Sequence, residues 1–109
     1  METTFADESL EHICQQAKLA KKVLGAESAA KLQRRLNEMF NAENVGELVA
    51  GRPHPLAGNR NGHFALDLHG GKRIVFKPTL QPPPLKPDGS IDWKLVTKVT
   101  ITELGDYHD

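Results

Sequence analysis

The stretch from His63 to Lys77 constrains this chain more than any other part of it. Phe64, Leu66 and Leu68 alternate with His63, Ala65, Asp67 and His69. Ile74 and Phe76 alternate with Arg73, Val75 and Lys77, and Gly70-Gly71 lies between the two runs. A period of two is the signature of a strand, and glycines between two such runs mark a hairpin. The register follows from the side chains. A two-residue Gly70-Gly71 loop sets Leu68 opposite Arg73 and Ala65 opposite Phe76, which mixes the apolar and polar sets. A three-residue loop, His69-Gly70-Gly71, sets Phe64 opposite Phe76 and Leu66 opposite Ile74, with Gly71 as the left-handed residue such a loop needs. One face is then wholly apolar, and the other pairs Asp67 with Arg73 and His63 with Lys77. A slip of one residue would expose the whole apolar face, so the second register is predicted. A salt bridge between Asp67 and Arg73 in this register would partly neutralise the arginine.

Helices precede the hairpin. Thr3-Thr4-Phe5 reads as a short first strand and Asp7 as a helix N-cap. Leu10, Ile13, Cys14, Ala17, Ala20 or Lys21, and Leu24 recur at helical spacing. Lys18, Lys21 and Lys22 suit the C-terminal end of that helix, and Gly25 suits its left-handed stop. A second helix is predicted from about Glu27 to Asn41, with Ala29, Leu32, Leu36, Met39 and Phe40 as its apolar stripe. The short link between them implies an antiparallel helical hairpin. Val45, Leu48 and Val49 suggest one further turn. Residues 51–62, rich in Gly, Pro and Asn, read as an irregular loop.

After the hairpin comes a long proline-rich connection, residues 78–93, in which Pro82 to Pro84 should be extended and stiff. It is read either as a semi-rigid flap or as a surface excursion, with Trp93 anchoring it on the domain or meeting a partner. A last strand is predicted from about Lys94 to Leu104, with Leu95, Thr97, Val99 and Ile101 on one face.

The 109 residues suffice for one domain with one core. No apolar run approaches the roughly 20 residues of a membrane span, and the N-terminus does not read as a signal peptide. Cys14 is the only cysteine, which excludes an internal disulfide and cysteine-based zinc sites and suits a reducing, cytoplasmic setting. The His residues lack metal-ligand spacing, so neither metal nor cofactor is assigned. Net charge is +0, but residues 51–86 hold six Lys/Arg against Asp67 alone. A local basic surface of that kind can bind phosphates on a neutral molecule. His54, His108, Tyr107, Asp106 and these cations form an inventory suited to metal-free phosphoryl chemistry on RNA.

The segments Gly51-Arg52-Pro53-His54-Pro55-Leu56-Ala57-Gly58-Asn59-Arg60-Asn61-Gly62-His63-Phe64, Arg73-Ile74-Val75-Phe76 and Asp106-Tyr107-His108 resemble the killer-protein (HigB-like) branch of the RelE/ParE toxin superfamily. That branch shows a His-x-Leu-x-Gly loop, a strand, a turn, an Arg-Ile strand and a terminal Asp-Tyr-His, after a helical hairpin. Order and approximate spacing agree over nearly the whole chain, apart from the proline-rich insertion at 78–93. The chain departs from the family at Asp67, where a second basic residue is usual, at Lys72, where an aromatic is usual, and in its overall neutrality.

The resemblance implies an α+β fold: a small RelE-like domain whose antiparallel-rich sheet of 3–4 strands carries the N-terminal helical hairpin on one face. It implies the toxin of a type II toxin–antitoxin system that cuts mRNA on the ribosome without a metal. The implied antitoxin is a cognate helix-turn-helix (HigA-like) protein. Such cleavage uses the ribose 2′-OH as nucleophile and needs a base, an acid and cations around the phosphate. Arg73 is the candidate phosphate stabiliser, since a guanidinium binds two phosphate oxygens at once. His54 and His108 are the candidates for proton transfer, with base and acid left open between them. Tyr107 would orient or stack on a nucleotide or share the proton transfer, and Asp106 would fix a neighbouring His or Arg. Arg60, Lys72, Lys77 and His63 are the candidate RNA contacts. The alternative on the same fold is a non-catalytic binding protein, either a gyrase-directed toxin or an attenuated relative that only binds its antitoxin.

Overall fold

A computed structural model describes residues 1–106; the expectations for Tyr107 and His108 lie outside the described residues. The chain forms an α+β domain. Its sheet has five strands, β1 (Glu2–Phe5), β2 (His54–Pro55), β3 (Phe64–Asp67), β4 (Lys72–Pro78) and β5 (Lys98–Asp106), in the order β1-β5-β4-β3-β2. Three helices, α1 (Glu8–Gln15), α2 (Ala17–Leu24) and α3 (Ala26–Asn41), pack on one face.

The hairpin has the register that its apolar pattern requires. Phe64 pairs with Phe76, Leu66 with Ile74 and Asp67 with Arg73. Leu68 N–H donates to Lys72 O at 2.7 Å, which leaves His69, Gly70 and Gly71 as the loop. Both glycines take positive φ, 63° and 83°. The loop is tied to α3. Ser28 Oγ donates to His69 O at 3.1 Å and accepts from His69 N–H at 3.2 Å, and Ser28 is itself 2% exposed.

Asp7 caps α1, its carboxylate accepting from Leu10 N–H at 3.0 Å. Gly25, at φ 87°, turns the chain between α2 and α3. The single first helix expected from the sequence is instead two, because Gln16 is extended (φ −119°, ψ 106°). Its apolar residues serve two surfaces. α1 lies against β1 and β5, and α2 against α3, so one straight helix would satisfy only one of them. Leu32, Leu36 and Met39 of α3 are buried as expected, whereas Phe40 is half-exposed. The expected further turn is a 3-10 turn at Val45–Glu47 with Val45 buried.

The sheet is larger than the 3–4 strands expected. β1 adds a parallel strand to β5, with Glu2 opposite Lys98 and Phe5 opposite Ile101. β2 arises inside the stretch expected to be irregular and pairs His54 with Ala65. β5 starts at Lys98 rather than Lys94, because Trp93–Leu95 form a 3-10 turn. Leu95 is therefore exposed and Val96 takes its place in the core. The β4–β5 register also shifts once, between Val75↔Glu103 and Phe76↔Ile101, leaving Thr102 as a bulge. A bulge flips the faces beyond it. Simple alternation from Val99 and Ile101 would drive Glu103 into the core; the bulge instead gives Leu104 to the core beside Ile74 and sends Glu103 to the other face.

The proline-rich segment folds back on itself. Leu85 bridges Ile91, and Asp92 N–H reaches Pro84 O at 2.9 Å. Its end is anchored: the Trp93 ring packs 4.7 Å from Phe64, which in turn lies 5.5 Å from Phe76.

Candidate functional site

The sheet face away from the helices carries most of the candidate residues, arranged in three rows by the strand pairing. Asp67, Arg73 and Gly105 form one row; His54, Ala65, Val75 and Glu103 form the next; Lys77 and Thr100 belong to the third. His63 joins this last row at the start of β3, where its carbonyl accepts from Leu56 N–H at 2.9 Å.

Two residues with positive φ, Gly51 (83°) and Arg52 (49°), turn the chain into β2. Gly51 is needed there. Its carbonyl accepts from Asp67 N–H at 2.6 Å, and an added Cβ would stand 3.1 Å from both Asp67 O and Arg35 Cδ. The turn delivers Arg52 to Asp67, Nε to Oδ2 at 2.8 Å, while Arg73 Nε lies 3.8 Å from Oδ1 of the same carboxylate. Asp67 and Arg73 stand opposite each other as the register requires, but the tighter partner of the carboxylate is Arg52, whose guanidinium is held further into its charged form by the hydrogen bond to and charge of Asp67.

The next row is covered. Ala65 and Val75 are fully buried although no helix packs on that face. Arg60, from the short turn Gly58–Arg60, reaches Glu103 with Nε 2.7 Å from Oε2. His54 ends this row on the exposed side. Its Nδ1 lies 2.6 Å from Arg52 O. A carbonyl only accepts, so Nδ1 carries the proton and Nε2 is the basic nitrogen of the neutral ring. His54 and Arg73 are one row apart and two strands away, roughly 12 Å apart in the plane of the sheet.

Not all the candidates share this face. Lys72 and Asp106 pair with each other at the end of the β4–β5 ladder, and by alternation both fall on the side that carries the helices. Two participants were not singled out by sequence reasoning. Arg52 stood in the recognised segment without a role, and its contact with Asp67 depends on the left-handed turn at Gly51-Arg52. Glu103 reaches the open face only through the bulge at Thr102, which alternation does not announce. Among the described residues no group of three or more His, Cys, Asp and Glu side chains is placed to share a metal ion, and no helix is long and apolar enough to cross a membrane.

An α+β domain with helices on one face of a mixed five-stranded sheet and a loop folded over the other has a counterpart among solved structures. The chain is similar to a YoeB/ParE toxin from Agrobacterium tumefaciens, with a TM-score of 0.61 over 99% of this chain and 100% of that one, at 11% sequence identity. The two share a fold. No sequence-family description and no curated protein sequence matches the chain.

Proposed function

We propose that this chain is the toxin of a type II toxin–antitoxin pair and acts as a metal-independent endoribonuclease on mRNA at the ribosome. The observation that carries the reading is the toxin fold shared over 99% of the chain. The residues on the open face give it a chemistry. His54, with Nδ1 engaged by the Arg52 carbonyl, presents Nε2 as the base for the ribose 2′-OH. The freed oxygen attacks the adjacent phosphorus, the bond to the 5′ oxygen breaks, and a 2′,3′-cyclic phosphate forms. Arg73 would hold the phosphate oxygens as negative charge grows on them. His108 would return a proton to the 5′ oxygen, Tyr107 would stack on a nucleotide, and Asp106 would orient its neighbours. Arg60, Lys77 and His63 would contact the RNA; Lys72, on the helix-bearing side, would do so only where the strand wraps the edge. A helix-turn-helix antitoxin encoded beside this chain is the partner that follows from the reading.

The test is induced expression. Growth arrest with transcript cleavage is expected, relieved by Arg73→Ala and by His54→Ala. Undiminished toxicity in both variants would sink the site.

One observation favours a second reading, a non-catalytic binding toxin or an attenuated relative. Arg60 and Arg73 both have a carboxylate near their guanidinium, Glu103 at 2.7 Å and Asp67 at 3.8 Å. DNA damage without transcript cleavage would support gyrase-directed binding, and a gain of cleavage in Asp67→Arg would point to an enzyme held back by its own acid.

A further inference from the structure

The proline-rich segment, absent from the pattern that the chain otherwise resembles, builds a groove against the His54–His63 loop. One hollow of about 560 Å³ lies between Pro55, Leu56 and His63 on one side and Leu85, Ile91 and Trp93 on the other. A second, of about 290 Å³, includes Lys77, Gln81 and Pro83. Asn61, Gly62, His63 and Ile91 line both hollows, so the two are continuous around His63. The volume of the larger one is within the range of small-ligand sites.

Its chemistry is specific. The Trp93 ring, braced by Phe64, offers an aromatic surface beside Ile91 and Leu56. His63 lines both hollows; its Nδ1 is sealed from solvent and has no hydrogen-bond partner, a costly arrangement that a turn of the ring toward a ligand would relieve. Lys77 stands at one end and Lys86 at the other; the Lys86 charge is felt by the exposed carboxylate of Asp88 nearby. An aromatic wall, one unsatisfied polar atom and flanking cations are what an unstacked nucleobase with its phosphates requires.

We infer that this groove is a subsite for one nucleobase of single-stranded RNA, stacked beside Trp93 and hydrogen-bonded to the His63 ring once that ring has turned, with Lys77 and Lys86 on the adjoining phosphates. The inference rests on the reading of RNA as the substrate. Lys77 lies four residues along β4 from Arg73, about 13 Å, so a strand seated in the groove runs toward the proposed cleavage point. The groove therefore selects which sequence is presented there.

Trp93 is the only tryptophan in the chain, and its fluorescence reports occupancy directly. The full-length Arg73→Ala protein, titrated with short oligouridylate and oligoadenylate, is expected to give a saturable change with unequal affinities for the two. Lys77→Ala and Lys86→Ala are each expected to weaken binding about tenfold and to lower the slope of log affinity against log salt by about 0.7. His63→Ala is expected to weaken binding severalfold with the slope unchanged. No response of Trp93 to either RNA overturns the proposal, as does an equal response to tripolyphosphate. A response to the purified protein encoded beside this chain, without one to RNA, makes the groove a protein-docking site and also overturns it. Growth arrest is scored separately with the unsubstituted chain. Arrest without a Trp93 response counts against the groove alone; a Trp93 response without arrest or cleavage counts against the toxin reading alone.

Discussion

The two ends of the open sheet face hold positive charge in opposite ways. At the Arg73 end, Arg52 and Arg73 share Asp67, and Arg60 is held by Glu103 across a buried row. At the other end, Lys77 and Lys86 border a groove, and the carboxylate that acts on Lys86, that of Asp88, is fully exposed to solvent. The charge balance of residues 51–86 counts all these cations alike. The fold separates them into a set whose field is largely cancelled at short range and a set left to act on a ligand. Phosphate attraction should come first from the lysine end, and the arginine end should yield only to an anion that displaces its own acids.

The largest effect expected from breaking this contrast is at the anchor of the lysine end. Trp93→Ala removes the ring that packs on Phe64 and is expected to cost about 3 kcal/mol in denaturant unfolding, with loss of RNA binding by the groove. At the arginine end, Arg73→Ala is expected to reduce transcript cleavage by about a hundredfold while the fold, followed by circular dichroism, is retained. Gly51→Ala attacks the device that pairs the arginines. Its Cβ would sit 3.1 Å from Asp67 O at φ 83°, so a loss of about 1–2 kcal/mol is expected, with Arg52 and His54 displaced together. Asp67→Asn erases the contrast itself. It is expected to steepen the salt dependence of RNA binding by about 0.7 for each arginine released; the melting temperature should barely move, because exposed ion pairs contribute little. The smallest effect lies away from both ends. Hydrogen bonds to Leu10 N–H and Ser9 hold the Asp7 carboxyl below its ordinary value. Its contribution is therefore present above the ordinary carboxylate range and lost as pH falls through the lowered value. Asp7→Asn should remove that part of the acid-induced loss of stability in a pH series of thermal melts.

What the sequence made legible follows from how locally each feature is encoded. The β3–β4 register was readable because Phe64, Leu66, Ile74 and Phe76 have only one alignment that buries them together. Asp7, Gly25 and α3 were readable because caps and helical stripes act within a few residues. The break at Gln16 carried no proline or glycine, and it exists because α1 and α2 serve different surfaces of the sheet and of α3. The two-residue β2 was hidden in a proline-rich loop because its pairing with Ala65 and Phe64 is a tertiary fact. The same holds for Glu103, whose side of the sheet is set by one bulged residue. Of the candidate site, Arg73, Lys77 and His63 were placed with Asp67 on one face by the register read from the sequence; His54 joins them only through the β2–β3 pairing, and Lys72 and Asp106 alternate to the opposite face.

The parallel pairing of β1 with β5 has a consequence for synthesis. Residues 2–5 are made well before residues 98–101, which are their only strand partner among the described residues. Until those residues leave the translating ribosome, the first strand has nothing to pair with, and β5, which lies between β1 and β4, cannot join the two halves of the sheet. Contacts so distant in sequence form slowly. A nascent chain of this topology is thus an incomplete domain until β5 has been made, and a truncated product lacking β5 leaves β1 and the outer edge of β4 unpaired. Any activity that depends on the finished sheet is withheld from the cell until β5 has been delivered.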